Sequence, residues 1–146
     1  MRIRNPAIWI APSLGLILGG CSASPSATQQ QTPQSTVKAY LAAVNAHQSM
    51  TAASLLSPPQ KVIFGGRYGE GNNTLTVTNV SVKVFPAPFE QNAYPGYTSI
   101  RQALVTFDAT YRLVLGANNG PQTRFVYVGC VGASGPWRIL GIGTGP

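Results

Sequence analysis

The chain has 146 residues, of which 44 % are hydrophobic and only 9 % charged, with a formal net charge of +7. Such a length holds one modest domain. The charged share lies far below the roughly 25 % usual for soluble domains, so Ser, Thr, Asn and Gln must cover the surface, as is common in exported domains and unusual in a cytosolic enzyme. Beyond residue 20 the bases (Lys38, Lys61, Arg67, Lys83, Arg101, Arg112, Arg124 and Arg138) are scattered against three acids, Glu70, Glu90 and Asp108. A nucleic-acid partner, which needs a basic stripe or patch, is not expected. A weak attraction to anionic lipid or wall polymer is compatible with the charge.

Arg2 and Arg4 form a positive start, and residues 7–18 (AIWIAPSLGLIL) form an apolar run. Gly19, Gly20 and Cys21 follow. This is the layout of a secretory signal. The run falls short of the roughly 20 residues a membrane span needs, and Pro12 interrupts it. Leu18-Gly19-Gly20-Cys21 resembles the lipobox of bacterial lipoproteins. The resemblance implies that residues 1–20 are a signal peptide removed by a dedicated peptidase. It also implies that the Cys21 thiol takes a diacylglyceryl group and becomes the new N-terminus. The protein would then sit on the extracytoplasmic face of the cell membrane, held by acyl chains such as palmitate. One chain gives marginal binding and two give stable anchoring, at about 0.8 kcal/mol per buried CH₂.

Residues 21–31 (CSASPSATQQQ) have no apolar periodicity and read as a disordered tether. Residues 32–146 read as a single domain. Thr32 before Pro33 marks a helix start, and Val37, Tyr40, Leu41 and Val44 fall on one helical face. A break is expected at residues 45–48 and a second helix at 50–56, stopped by Ser57-Pro58-Pro59. Residues 61–64 are of uncertain type, and the Gly-rich residues 65–73 read as a loop. That stretch lacks the Lys-Ser/Thr ending of a phosphate-binding loop.

The period then changes to two. Leu75 and Val77 alternate with Thr, and the phase shifts at Asn79, which suggests a β-bulge before Val80, Val82 and Val84. Residues 101–115 alternate with Ala103, Val105, Phe107, Ala109, Tyr111, Leu113 and Leu115 on one face, and Asn119-Gly120 signals a hairpin. Residues 122–131 and 137–142 complete four strands. The expectation is an α+β fold, with two N-terminal helices packed on a curved four-stranded antiparallel meander. Cys130 would have no intrachain partner and reads as a small buried residue in a strand. The Asn-x-Ser/Thr triplets Asn72-Asn73-Thr74 and Asn79-Val80-Ser81 read as accidental.

The segment TVKAYLAAVNAHQSMTAASLLSP (36–58) resembles the opening helices of the nuclear-transport-factor-2-like superfamily. The ending WRILGIGTGP is similar to the last strand of small lipoprotein domains within it. The resemblance implies a cone-shaped fold with a pocket between helix and sheet. The chain departs from the pattern at residues 61–71, short and Gly-rich where the usual third helix would fall.

Enzymes of that superfamily place an acid and a phenol in the pocket, which here would be Asp108 with Tyr40 or Tyr111. Alternation puts Asp108 on the outer face, opposite Arg124 or Arg112. With Glu70 and Glu90 in loops, no paired carboxylates are expected. His47, the sole histidine, falls at the helix break, and neither a metal nor a cofactor is expected. Residues 85–97 hold Phe85, Phe89, Tyr94 and Tyr97 with three prolines. Such a loop either grips a partner or folds back on the sheet. The sequence thus points to a lipid-anchored, non-catalytic domain binding an envelope protein or a small apolar ligand. The alternatives are a small-molecule enzyme of the same fold and an envelope-assembly module.

Overall fold

A computed structural model describes residues 31–114 and 118–144, apart from the side chains of residues 88 and 89. Four helical segments come first: α1 (Pro33–Asn45), α2 (Ser49–Ser54), α3 (Pro58–Gly65) and α4 (Glu70–Asn73). Four strands follow: β1 (Thr74–Pro86), β2 (Tyr97–Tyr111), β3 (Gly120–Val131) and β4 (Trp137–Gly143). They form one antiparallel sheet in sequential order. The fold is the α+β meander expected.

Thr32 starts α1 through a capping box. Its hydroxyl accepts from Ser35 N at 3.0 Å, and Ser35 Oγ accepts from Thr32 N at 2.8 Å. Val37, Tyr40, Leu41 and Val44 are all buried against the sheet. His47 ends the helix in the left-handed region, with φ at 56°.

Two helical segments exceed the expectation. Helix α2 ends at Ser54, short of the expected Leu56, and Ser57-Pro58-Pro59 starts α3. Proline is disruptive inside a helix and tolerated in the first turn, where its missing N–H is needed by nothing. A third helix therefore stands where the Gly-rich sequence gave no sign of one. After it, residues 70–73 make one helical turn within the expected loop.

The bulge at Asn79 is present. The β1–β2 register shifts between Thr78 and Ser81, and Asn79 has φ 54°, a conformation Asn tolerates. The shift keeps Val77 and Val82 buried although their spacing is odd. Further shifts occur between Thr74 and Thr76, Thr98 and Arg101, and Tyr127 and Val128. Both sheet edges are occupied. On β1, Asn45 Oδ1 accepts from Val77 N at 2.7 Å, and Gln34 Nε2 donates to Val82 O at 3.0 Å. On β4, Ile139 exchanges backbone bonds with Leu55 O (2.9 Å) and Ser57 N (2.8 Å). An open edge would offer its unpaired groups to other chains.

The main core lies between helices and sheet and is centred on Val37, Leu56, Val105, Val128 and Ile139, each at most 1 % exposed. A smaller cluster, Ala87, Ile100 and Leu140, lies on the opposite face with Tyr94, Tyr97 and Tyr127 against it. Cys130 is buried in β3, and its thiol donates to Gly135 O at 3.0 Å.

Candidate functional site

Two residues separated by 30 positions meet on the helix-covered face. Tyr40, in the middle of α1, donates its hydroxyl to Glu70 Oε2 at 2.5 Å. Glu70 opens α4, and its position depends on the glycines beside it. A Cβ at Gly69 would overlap the carbonyl oxygens of Ile63 and Phe64, and one at Gly71 would come within 2.6 Å of the Phe64 ring. The bare backbone lets the turn close onto α3 and delivers the Glu70 carboxylate to Tyr40. The Phe64 ring meets Tyr40 edge-on, with centroids 6.0 Å apart.

Arg124 approaches from the sheet. It pairs with buried Val105 across β2–β3 and shares the inward phase of Val126 and Val128. Its guanidinium donates to Tyr111 Oη at 3.5 Å and to Thr123 O at 3.3 Å. Tyr40, Glu70 and Arg124 line a cavity of about 180 Å³. Leu56, Ile63, Phe64 and Ile142 supply its apolar wall, and Gln60 and Thr144 add polar groups at its rim. The same three polar side chains and Ile142 also border a second, small void of about 10 Å³, together with Phe107 and Val126.

The electrostatics follow from burial. Desolvation pushes the Tyr40 hydroxyl well above the ordinary tyrosine range, and the adjacent Glu70 carboxylate pushes it further. Tyr111 is raised too, chiefly by burial. Arg124 opposes that rise and Glu70 adds to it. Tyr40 is therefore a hydrogen-bond donor at neutral pH, while Glu70 accepts and Arg124 donates. A cavity with this lining holds an apolar body and orients one polar end.

Asp108 lies outside this site. It faces Thr78 and Pro121 across its two ladders, not Arg124 or Arg112 as the sequence suggested, and its carboxylate accepts from Asn79 Nδ2 at 2.6 Å. Strand alternation placed Asp108 on the correct face but not its partner, because Arg124 has the inward phase opposite Val105 and Pro121 stands across from Asp108. The acid in the pocket is Glu70, read from sequence as a loop residue. Arg124 could have been found from its phase with Val126 and Val128. Glu70 left only a faint sign, its position between two glycines.

The aromatic loop divides. Phe85 belongs to β1 and is 46 % exposed. A 3-10 turn, Pro88–Ala93, carries the chain back over the outer face. Tyr94 and Tyr97 pack on the outer cluster. Gly141 lies under Tyr94, where a Cβ would sit 2.8 Å from its hydroxyl. Tyr127 accepts from Gln102 at 2.9 Å and donates to Glu90 at 3.4 Å, so Glu90 is fixed to the sheet by the turn and is not in a free loop. The side chain of Phe89, like residue Cys21, lies outside the described residues. The outer face has a larger groove of about 440 Å³ bordered by Tyr94, Phe125 and Tyr127, but no charged side chain lines it.

Both Asn-x-Ser/Thr asparagines are engaged. Asn72 Nδ2 donates to Gly65 O at 3.2 Å and to Gly66 O at 2.9 Å, and Asn79 holds Asp108. The neighbouring Asn73 exchanges two 2.8 Å bonds with the Leu113 backbone. Among the described residues no group of three His, Cys, Asp or Glu side chains is arranged to hold a metal. No helix among them is long and apolar enough to cross a membrane. In comparisons with known proteins, no family model, no curated protein and no solved structure matches the chain.

Proposed function

We propose that the protein is a lipid-anchored extracytoplasmic binding domain that takes a small, mostly apolar molecule into the cavity beside Tyr40, Glu70 and Arg124. The cavity itself carries this reading. A cavity of about 180 Å³ with an apolar wall ends in the Glu70 carboxylate, the Arg124 guanidinium donor and a Tyr40 hydroxyl whose proton is given to Glu70 in a hydrogen bond. An apolar cavity of roughly 150 Å³ suffices for benzene, so the occupant is of the size of a substituted benzene or a short acyl chain. Its polar end is a hydroxyl or acid. A pocket between helix and sheet is what a nuclear-transport-factor-2-like cone would offer, but the reading stands on the cavity and does not need that kinship. The folded-back positions of Tyr94 and Tyr97 favour a small ligand over a protein gripped by the loop.

Titration of the protein with p-cresol and with hexanoate, followed by ¹⁵N-resolved chemical shifts, tests the reading. Ligands of this size are expected to bind with Kd of roughly 0.1–1 mM. The shifts are expected around α3, α4 and the end of β4. Gln60→Trp, at a position that lines the inner cavity and not the outer groove, should abolish them. Unchanged binding in a folded Gln60→Trp protein would refute the assignment.

The membrane address rests on the order of basic start, apolar run and Leu-Gly-Gly-Cys at residues 18–21. Cys21→Ala is expected to release the protein or leave it unprocessed. Unchanged size and membrane retention would contradict it.

A second reading, a small-molecule enzyme using a pocket acid, is favoured by the Tyr40–Glu70 pair. It is distinguished by Glu70→Gln, which in an enzyme would preserve ligand binding while ending turnover.

A further inference from the structure

We infer that the exposed end of α3 and the turn after it, residues 61–68, form a surface that docks onto an anionic lipid membrane. Helix α3 buries only Phe64 and leaves its two largest aliphatic side chains in solvent, Val62 at 76 % and Ile63 at 63 % exposure. Tyr68, on the following turn, is 55 % exposed. Single exposed apolar residues are ordinary, but adjacent ones with a nearby tyrosine are the composition of an interfacial segment.

The charge around them identifies the occupant. Lys61 and Arg67 flank the apolar residues, both exposed, and residues 49–69 contain no acid at all. The next acid, Glu70, turns inward to Tyr40 and does not neutralise the surface. Arg67 lies 5.3 Å from the centroid of the Tyr68 ring. An amphipathic tyrosine and basic side chains that extend past their apolar stems suit the headgroup layer. A protein partner of apolar character would gain nothing from the acid-free border, whereas an anionic lipid surface complements it.

Ile63 also lines the cavity, so docking here places the cavity rim at the headgroups. The surface does not require that the cavity be filled. A covalent lipid at Cys21 would make the contact intramolecular and raise its occupancy.

The test uses the full chain carrying Cys21→Ser and Cys130→Ala, so that no acyl anchor forms. An environment-sensitive dye is attached at Val62→Cys and, in a separate sample, at Thr110→Cys on the outer sheet face. The vesicles are phosphatidylcholine, with or without phosphatidylglycerol. With anionic vesicles the dye at position 62 should shift to the blue and brighten, while the dye at 110 stays unchanged. Lys61→Glu with Arg67→Glu should weaken the response at least about tenfold, and Lys61→Gln with Arg67→Gln should weaken it less. Because position 62 is read directly, adsorption through residues 7–18 does not mimic the result. No change at 62, an equal change at 110, or an equal response to neutral vesicles would overturn the inference. Cavity binding by p-cresol in the same variants is read separately, so the failure of one does not pass for the failure of the other.

Discussion

The sheet is covered on its inner face by α1 to α4 and on its outer face by the turn Pro88–Ala93 with Tyr94 and Tyr97. The inner cover is built of separate helical pieces joined by tight turns, and where α3, α4 and β4 converge they leave a space unfilled. That gap is the cavity, with both a carboxylate and a guanidinium on its wall. The outer cover is a single turn whose aromatic rings lie on bare glycine backbone, with no charged group in the adjoining groove. Closing a face with helices leaves a small walled space that holds charged groups, whereas rings laid on strands leave a wider groove lined by no charged side chain. The contrast supports the proposal that a ligand is received on the inner face.

The largest effect should come from the inner core. Leu56→Ala is expected to cost about 3 kcal/mol in chemical denaturation, because Leu56 is 1 % exposed beside the cavity. A loss under about 1 kcal/mol would show that the helical cover is loosely packed. Gly69→Ala should cost about 2 kcal/mol by forcing the turn off α3. It should also abolish p-cresol binding by displacing Glu70. Retention of full binding would break the link between the glycines and the site.

Tyr40→Phe and Glu70→Gln are each expected to cost about 1–2 kcal/mol. A double-mutant cycle should return a coupling of about 1 kcal/mol. The raised ionisation of Tyr40 adds a pH dependence. The unfolded phenol ionises near pH 10.0, whereas the folded one stays protonated. This group leaves stability unchanged below that pH. Above it, stability should fall by about 1.4 kcal/mol per pH unit, since the unfolded state releases its proton first. Tyr40→Phe should make the alkaline decline shallower, as read from denaturation midpoints between pH 9 and pH 11. An identical slope would contradict the buried donor.

On the outer face, Tyr94→Ala should cost about 1 kcal/mol and leave p-cresol binding unchanged. Asp108→Asn should stay within about 0.5 kcal/mol, since its bond to Asn79 is solvent-exposed.

The sequence made the scaffold legible where side-chain period alone decides the outcome. The inner face of α1, the alternation of β2 and the phase shift at Asn79 all follow from spacing, and all three are present. It concealed what depends on meetings across the chain. Residues 58–65 form a helix because a proline pair can open one as well as close one. Glu70 reaches Tyr40 only because Gly69 and Gly71 let two backbone segments approach, which local pattern does not encode. Arg124 stood in plain phase with Val126 and Val128, but an arginine on an inward face has meaning only once the opposite wall is known.

The central claim is that the inner cavity, not the outer groove, receives the ligand. Nuclear Overhauser contacts between bound p-cresol and the protein measure this directly. Contacts are predicted to Phe64, Ile63 and Leu56, with none to Tyr94 or Tyr127. Contacts confined to Tyr94 and Tyr127, or no saturable binding, would contradict the account.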